Sequence, residues 1–247
     1  MLRQVEGIVL KSQDYGETHK IITIFTKEVG KITAIARGAN KPKSKLSAVS
    51  QVFIKGEYLV YLTKGLGTVQ QGQTVDSHRY IREDIIKTAY AAYMLELTDK
   101  LIEEKTPDVF IYHQLQQTMA WMNEQEAFMI PLLMYEMKLF NKGGFAPVVD
   151  GCVNCGRSDE LTSFSIQEGG VLCKYCFSMD ERAVQLPANL IKSLSIFLYV
   201  GLERVGNISM KKQNEQLLRN LFLEYYDAYG GYYLKSRKFL KQIDLLQ

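Results

Sequence analysis

Up to residue 78 the apolar residues of this chain fall into short runs rich in Val, Ile, Thr and Tyr. From Tyr80 onward they recur every three or four positions. That change of period constrains the fold more than any other feature, because side chains repeat every two residues on a strand and every 3.6 on a helix. The early runs are VEGIVLKS, KIITIFTK, KITAIAR, QVFIKGEYLVYLTK and GTVQQGQTVDS, separated by turns rich in Gly, Asn, Asp or Lys. Five short strands at this spacing predict a small closed barrel. The OB-fold is the five-stranded form of that solution, and an SH3-like barrel would leave a similar trace. The helical patterns that follow argue against a single all-β sandwich. The expected fold class is therefore α+β and multidomain, with a barrel over 1–79 and an α-helical domain over 80–247.

In IREDIIKTAYAAYMLELTDKLIEE, Ile81, Ile85, Tyr93, Leu97 and Leu101 keep helical spacing, and acids crowd the first turn, where the helix dipole favours them. Thr106-Pro107-Asp108 predicts the next helix start, with Thr as N-cap and Pro at the first position. A third segment, AFMIPLLMYEMKLF, stops at Asn141 and Gly143-Gly144, with Pro131 starting or kinking it. ANLIKSLSIFLYVGLE and NEQLLRNLFLEYYDAYGGYYLKSRKFLKQ resume the pattern. The helices on both sides of the cysteines are expected to pack as one bundle, interrupted by an insertion over 150–178.

All four cysteines lie in CVNCGRSDELTSFSIQEGGVLCKYC. Cys152 and Cys155 form one C-x2-C pair, Cys173 and Cys176 another, with 17 residues between the pairs. This is the spacing of a structural zinc site, since each pair can sit on a tight turn and offer two thiolates to one ion. Two disulfides or four unrelated thiols are the alternatives. An intracellular protein disfavours the first, and the spacing disfavours the second. One structural Zn2+ is the expected cofactor. Four sulfurs leave no position for a reacting water, so the site is not read as hydrolytic.

Charge is distributed unevenly. Residues 1–80 hold 12 Lys and Arg against 6 Asp and Glu, and the remainder holds 18 against 21. Within the basic part, RGANKPKSK (37–45) carries Arg37, Lys41, Lys43 and Lys45 and no acid, with Lys11, Lys20, Lys27 and Lys31 on nearby segments. A mobile basic loop on a barrel suits a nucleic-acid backbone. Tyr15, Phe25, Phe53, Tyr58 and Tyr61 are placed to stack on bases, and strand alternation implies that about half of them are core. No P-loop is present, and His19, His78 and His113 are scattered. The chain is read as a binding protein, not an enzyme. It has no run of roughly 18 apolar residues and begins with a strand pattern rather than a signal peptide, so a soluble, intracellular protein without a membrane partner is expected.

Three stretches in this order, YGETHKIITIFTKEVGKITAIARGANKPKSK, the four-cysteine unit and YYLKSRKFL, resemble the RecO family of bacterial DNA-repair proteins along nearly the whole chain. The cysteines resemble those of its zinc-binding branch. The resemblance implies an N-terminal OB-fold, a helical domain with a zinc insertion, and a cytoplasmic recombination mediator, nucleoid-associated during repair. Such proteins bind single- and double-stranded DNA and anneal complementary strands, including strands coated with single-stranded-DNA-binding protein (SSB). With RecR they help load RecA. On this basis Arg37, Lys41, Lys43 and Lys45 are expected to contact phosphates, with Lys11 and Lys20 beside them. The KSRK run, with Lys235 and Arg237, is a candidate second surface for DNA or the acidic SSB tail, unless it is a solvated last-turn cluster. An RNA-binding or translation-associated OB protein with a zinc knuckle and a protein-interaction scaffold are the competing readings.

Overall fold

In the computed structural model, which describes residues 1–206 and 209–244, the five runs become β1 (Leu2–Tyr15), β2 (His19–Thr26), β3 (Gly30–Ala36), β4 (Lys55–Tyr61) and β5 (Gly67–Asp76). They close into a barrel in the order β1-β2-β3-β5-β4, with β4 returning to pair β1. Only β3 and β5 run parallel among these pairs. The closed five-stranded order is OB-like. The fourth strand starts later than its sequence run: Gln51–Phe53 form a turn, preceded by a short helix, α1 (Leu46–Val49). Val49 enters the barrel core beside Val5, Ile22, Ile32 and Val60, and the Tyr58 hydroxyl donates to its carbonyl at 2.9 Å.

The chain divides into two compact units, Met1–Glu126 with Tyr233–Gln247, and Ala127–Tyr232. The first adds to the barrel α2 (Arg79–Glu83), α3 (Ile85–Leu101), α4 (Val109–Glu124) and α8 (Ser236–Asp244). The pattern after Tyr80 is thus two helices, not one. Asp84 leaves helical geometry at φ −110° and ψ 121°, and its carboxylate accepts from the Ile86 and Lys87 amides at 2.8 and 3.0 Å, starting α3 afresh. Asp108, not Thr106, caps α4, accepting from Ile111 N at 3.0 Å.

The linker between α3 and α4 is fastened to the barrel. Lys105 N donates to Lys31 O at 2.8 Å, and Gly30, at φ 76°, lies so close that a Cβ would come within 2.4 Å of Thr106 O. Helices also cover the outside of β1 and β2. Ile8, Val9 and Leu10 are therefore buried in succession instead of alternating. Phe25 meets the Tyr112 ring edge-on at 5.7 Å, and the Tyr112 hydroxyl donates to Glu6 Oε1 at 3.0 Å.

The second unit holds α5 (Met129–Lys142), α6 (Ala188–Tyr199), α7 (Lys212–Tyr229) and a small sheet of β6 (Leu161–Ser165), β7 (Gly170–Cys173) and β8 (Val184–Gln185), ordered β7-β6-β8. Pro131 sits in the first turn of α5, where its missing N–H costs nothing. Residues 130–140 of α5 are all buried, Glu136 and Lys138 included. Glu136 faces Arg219 of α7 at 3.7 Å, and Lys138 Nζ donates to Phe197 O and Val200 O at 2.8 and 2.7 Å, closing the end of α6.

Candidate nucleic-acid interface and metal centre

Arg37, Lys41, Lys43 and Lys45 are all exposed, on the segment joining β3 to α1. Among the described residues none of the four is in an ion pair. The segment expected to be a mobile loop is a string of hydrogen-bonded turns. Lys41 N donates to Gly38 O at 3.0 Å and Ser44 N to Lys41 O at 3.2 Å, with Gly38 and Lys43 in the left-handed region at φ 71° and 60°.

The tip of the β1–β2 hairpin holds this string from one side. Asn40 N donates to Thr18 O at 2.9 Å, Gly38 N to His19 Nδ1 at 2.8 Å, and Asn40 Nδ2 to Asp14 Oδ1 at 2.8 Å. Asp14 Oδ1 also takes Lys20 Nζ at 2.8 Å. Lys20 first, and then Asn40, hold the Asp14 carboxyl below the usual carboxylate range. Sequence reasoning did not find Asp14, His19 or Asn40 as parts of this surface, since no spacing rule links a carboxylate at 14 to an amide at 40.

The other sequence-derived cations divide clearly. Lys11 is exposed, beyond a bulge in β1 between Val9 and Lys11. Lys20 is half-buried and engaged by Asp14. Lys27 is half-buried, and Lys31 is buried with its ammonium 3.4 Å from Asp99 Oδ1. Of the five aromatic candidates, Tyr15 and Tyr61 are about half exposed, while Phe25, Phe53 and Tyr58 are core. Tyr15 ends β1 beside Asp14, next to the hairpin tip that holds the basic turns.

In the C-terminal run, Lys235 is exposed and Arg237 is buried. The run stands at the first turn of α8, not the last, where the helix dipole disfavours cations. Glu96 of α3 offsets this: its two carboxylate oxygens accept from the Lys235 and Ser236 amides at 3.0 and 2.8 Å. Burial works against that carboxylate, but the donors outweigh it and lower its pKa.

The four cysteine sulfurs all lie within 4.8 Å of one another, with Cys155 and Cys173 at 3.7 Å, and none is in a disulfide. A tetrahedral ion with bonds of about 2.3 Å needs sulfurs about 3.8 Å apart, so the donor set fits one zinc ion. Each pair sits on a turn, closed by Gly156 N to Cys152 O at 2.8 Å and Cys176 N to Cys173 O at 3.0 Å. Burial opposes the Cys152 thiolate, but the amides of Cys155, Cys173 and Asn154 and the Cys155 thiol prevail and hold its pKa down at about 6. The Asn154 amide, 3.3 Å from Cys176 Sγ, lowers the Cys176 pKa, yet burial and the three neighbouring thiols push it up to about 11.

The unit is also packed onto α7: Phe164 meets the Tyr225 ring at 5.7 Å, and the Tyr229 hydroxyl donates to Ile166 O at 2.7 Å. Among the described residues this is the one group of three or more Cys, His, Asp or Glu placed to hold a metal. No helix among them is long and apolar enough to cross a membrane.

Comparison with known proteins covers the whole chain. The family description "Recombination protein O N terminal" matches residues 1–78, and "Recombination protein O C terminal" matches residues 82–238. The chain is 52% identical to the DNA repair protein RecO of Oceanobacillus iheyensis over 244 residues, covering 99% of this chain and 95% of that one. It is 44% identical to the protein of the same name from Bacillus pumilus, covering 100% and 96%. With that of Bacillus cereus strain AH187 the identity is 42%, over the full length of both.

Proposed function

The chain belongs to the RecO family and takes part in DNA repair and recombination, and on that footing we propose that it is a recombination mediator. It binds single- and double-stranded DNA and anneals complementary strands, including strands coated with SSB. With RecR it promotes loading of RecA. It works in the cytoplasm, at the nucleoid during repair. No bond is made or broken in this scheme, and no nucleotide is consumed, so it is not an enzyme.

The observation that carries the reading is the set of four exposed cations, Arg37, Lys41, Lys43 and Lys45, unpaired with any described carboxylate and displayed on ordered turns of an OB-like barrel. Annealing brings two polyanions together, so a mediator must lower their repulsion while leaving the bases free. Phosphate contacts do that without reading sequence. Each neutralised phosphate releases counterions, and four on a single strand give a log–log salt slope near −3, from about −0.7 apiece. Tyr15 stacks on a base beside these contacts, Lys11 extends them, and Lys235 belongs to a lesser second surface.

Cys152, Cys155, Cys173 and Cys176 hold one Zn2+, which supplies structural closure of the two turns and leaves no position for substrate.

The test is annealing of complementary strands pre-coated with SSB, without nucleotide, by wild type and by the Arg37→Glu, Lys41→Glu double variant. The expected result is strong annealing by the wild type and its loss in the variant, with weaker binding to all sequences alike. Equal annealing by both would move the site off these turns. A wild type that neither anneals nor shows salt-dependent DNA binding would end the mediator reading.

A further inference from the structure

We propose that Asp14 is a positioning residue for DNA binding: a carboxylate at the edge of the basic turns strengthens their grip on DNA by fixing their shape. The inference rests on the proposal that these turns receive phosphates.

Charge alone argues the opposite. An exposed carboxylate next to Lys20 and close to the 37–45 cations repels phosphate and occupies a lysine that would otherwise be available. Geometry supplies the counter-argument. Asp14 Oδ1 receives the Asn40 side-chain amide at 2.8 Å, and the Asn40 backbone N–H reaches Thr18 O at 2.9 Å. Asn40 is therefore gripped by the hairpin tip through both its backbone and its side chain. Gly38, two residues earlier, is held by His19 Nδ1 at 2.8 Å. These anchors fall between Arg37 on one side and Lys41, Lys43 and Lys45 on the other, so they set the direction in which the chain leaves β3 and enters the turns. The stem of Lys41 lies over Gly38, with its Cδ 3.5 Å from where a Cβ on that glycine would stand.

Lys20 completes the arrangement from the strand side: its ammonium shares the oxygen that receives Asn40 and keeps that carboxylate charged and oriented. Its task is then to hold Asp14, not phosphate. A surface already in its bound shape gives up less conformational freedom when DNA arrives, which is how an anchoring acid raises affinity for an anion.

The two effects separate by substitution. Asp14→Ala removes both the charge and the acceptor, whereas Asp14→Asn removes the charge but keeps an Oδ1 that can accept from Asn40. Asp14 is exposed at the end of a strand, so neither change threatens the barrel core. Affinity for a single-stranded oligothymidylate would be measured across a salt series for wild type, both variants and Asn40→Ala. Amide hydrogen exchange of residues 38–44 would be followed in the free proteins. Positioning predicts that Asp14→Ala and Asn40→Ala bind roughly three- to tenfold more weakly, the size of one lost hydrogen bond, and exchange faster over 38–44, while Asp14→Asn stays near wild type in both. Asp14→Ala and Asp14→Asn binding equally and more tightly than wild type would overturn the inference, as would unchanged exchange in Asp14→Ala. A wild type without salt-dependent binding removes the DNA reading and this inference with it, a failure distinguished by appearing before any substitution is made.

Discussion

Lys138 sits in the interior of the second unit with its ammonium directed at the last carbonyls of α6. Burial brings its pKa from 10.5 down to about 8, with Glu203 opposing weakly. Between those values the unfolded chain holds more of the proton than the folded one, so this group makes stability rise with pH across that window. Lys138→Met should abolish that contribution while lowering stability overall through two lost contacts. Urea midpoints of both proteins from about pH 8 to 10 check it, and parallel profiles would refute it. The sequence showed AFMIPLLMYEMKLF as an apolar helix but gave Glu136 and Lys138 no role. Their partners are Arg219 and the carbonyls of Phe197 and Val200, the latter two 59 and 62 residues away, and periodicity carries no such pairing. The same holds at the barrel, where Phe25 was offered for stacking and is core because Tyr112, far along the chain, covers it.

Among the elements, the cysteine unit was the most legible, because two C-x2-C pairs specify a geometry that needs no knowledge of the surrounding fold. What spacing did not convey is how far the unit extends. Its sheet takes in β8 at Val184–Gln185, past the expected limit at 178, and it leans on α7 through Phe164 and Tyr229. Cys173→Ser should therefore lower zinc content and also loosen β6, β7 and the Tyr225–Tyr229 turn of α7. Metal analysis with hydrogen exchange checks both, and full zinc retention would contradict the four-sulfur assignment. Helix boundaries were less legible. Asp84 and Asp108 act as caps where the pattern predicted an unbroken helix and a Thr cap, since several neighbouring residues could serve and tertiary fit selects one. The last-turn alternative for the KSRK run also fails on a boundary: α7 ends at Tyr229 and α8 begins anew at Ser236, so the run stands at a first turn.

For the molecule as a whole, the barrel's strands end at Asp76 and the helices begin at Arg79, beside the change of period at Tyr80, while the compact units divide elsewhere. The first unit is discontinuous, made of Met1–Glu126 and Tyr233–Gln247. Its closing helix α8 is held to α3 by Glu96 across 139 and 140 residues of chain, a pairing that no local pattern encodes. Deleting residues 233–247 should speed exchange in α3 while leaving that of α5 and α7 as it was. Exchange altered in α5 and α7 instead would show that the tail belongs to the other unit. This order of segments also matters during translation. The barrel, α2, α3 and α4 leave the ribosome ahead of the second unit, yet α3 has no partner for the face that α8 covers until residues 236–244 are made. The Ala127–Tyr232 segment, cysteines included, is synthesised entirely within that interval. A nascent chain that has reached Tyr232 holds every residue of the cysteine-bearing unit but lacks α8 of the barrel unit, and that is the stage at which a chaperone would find the uncovered face of α3 to hold.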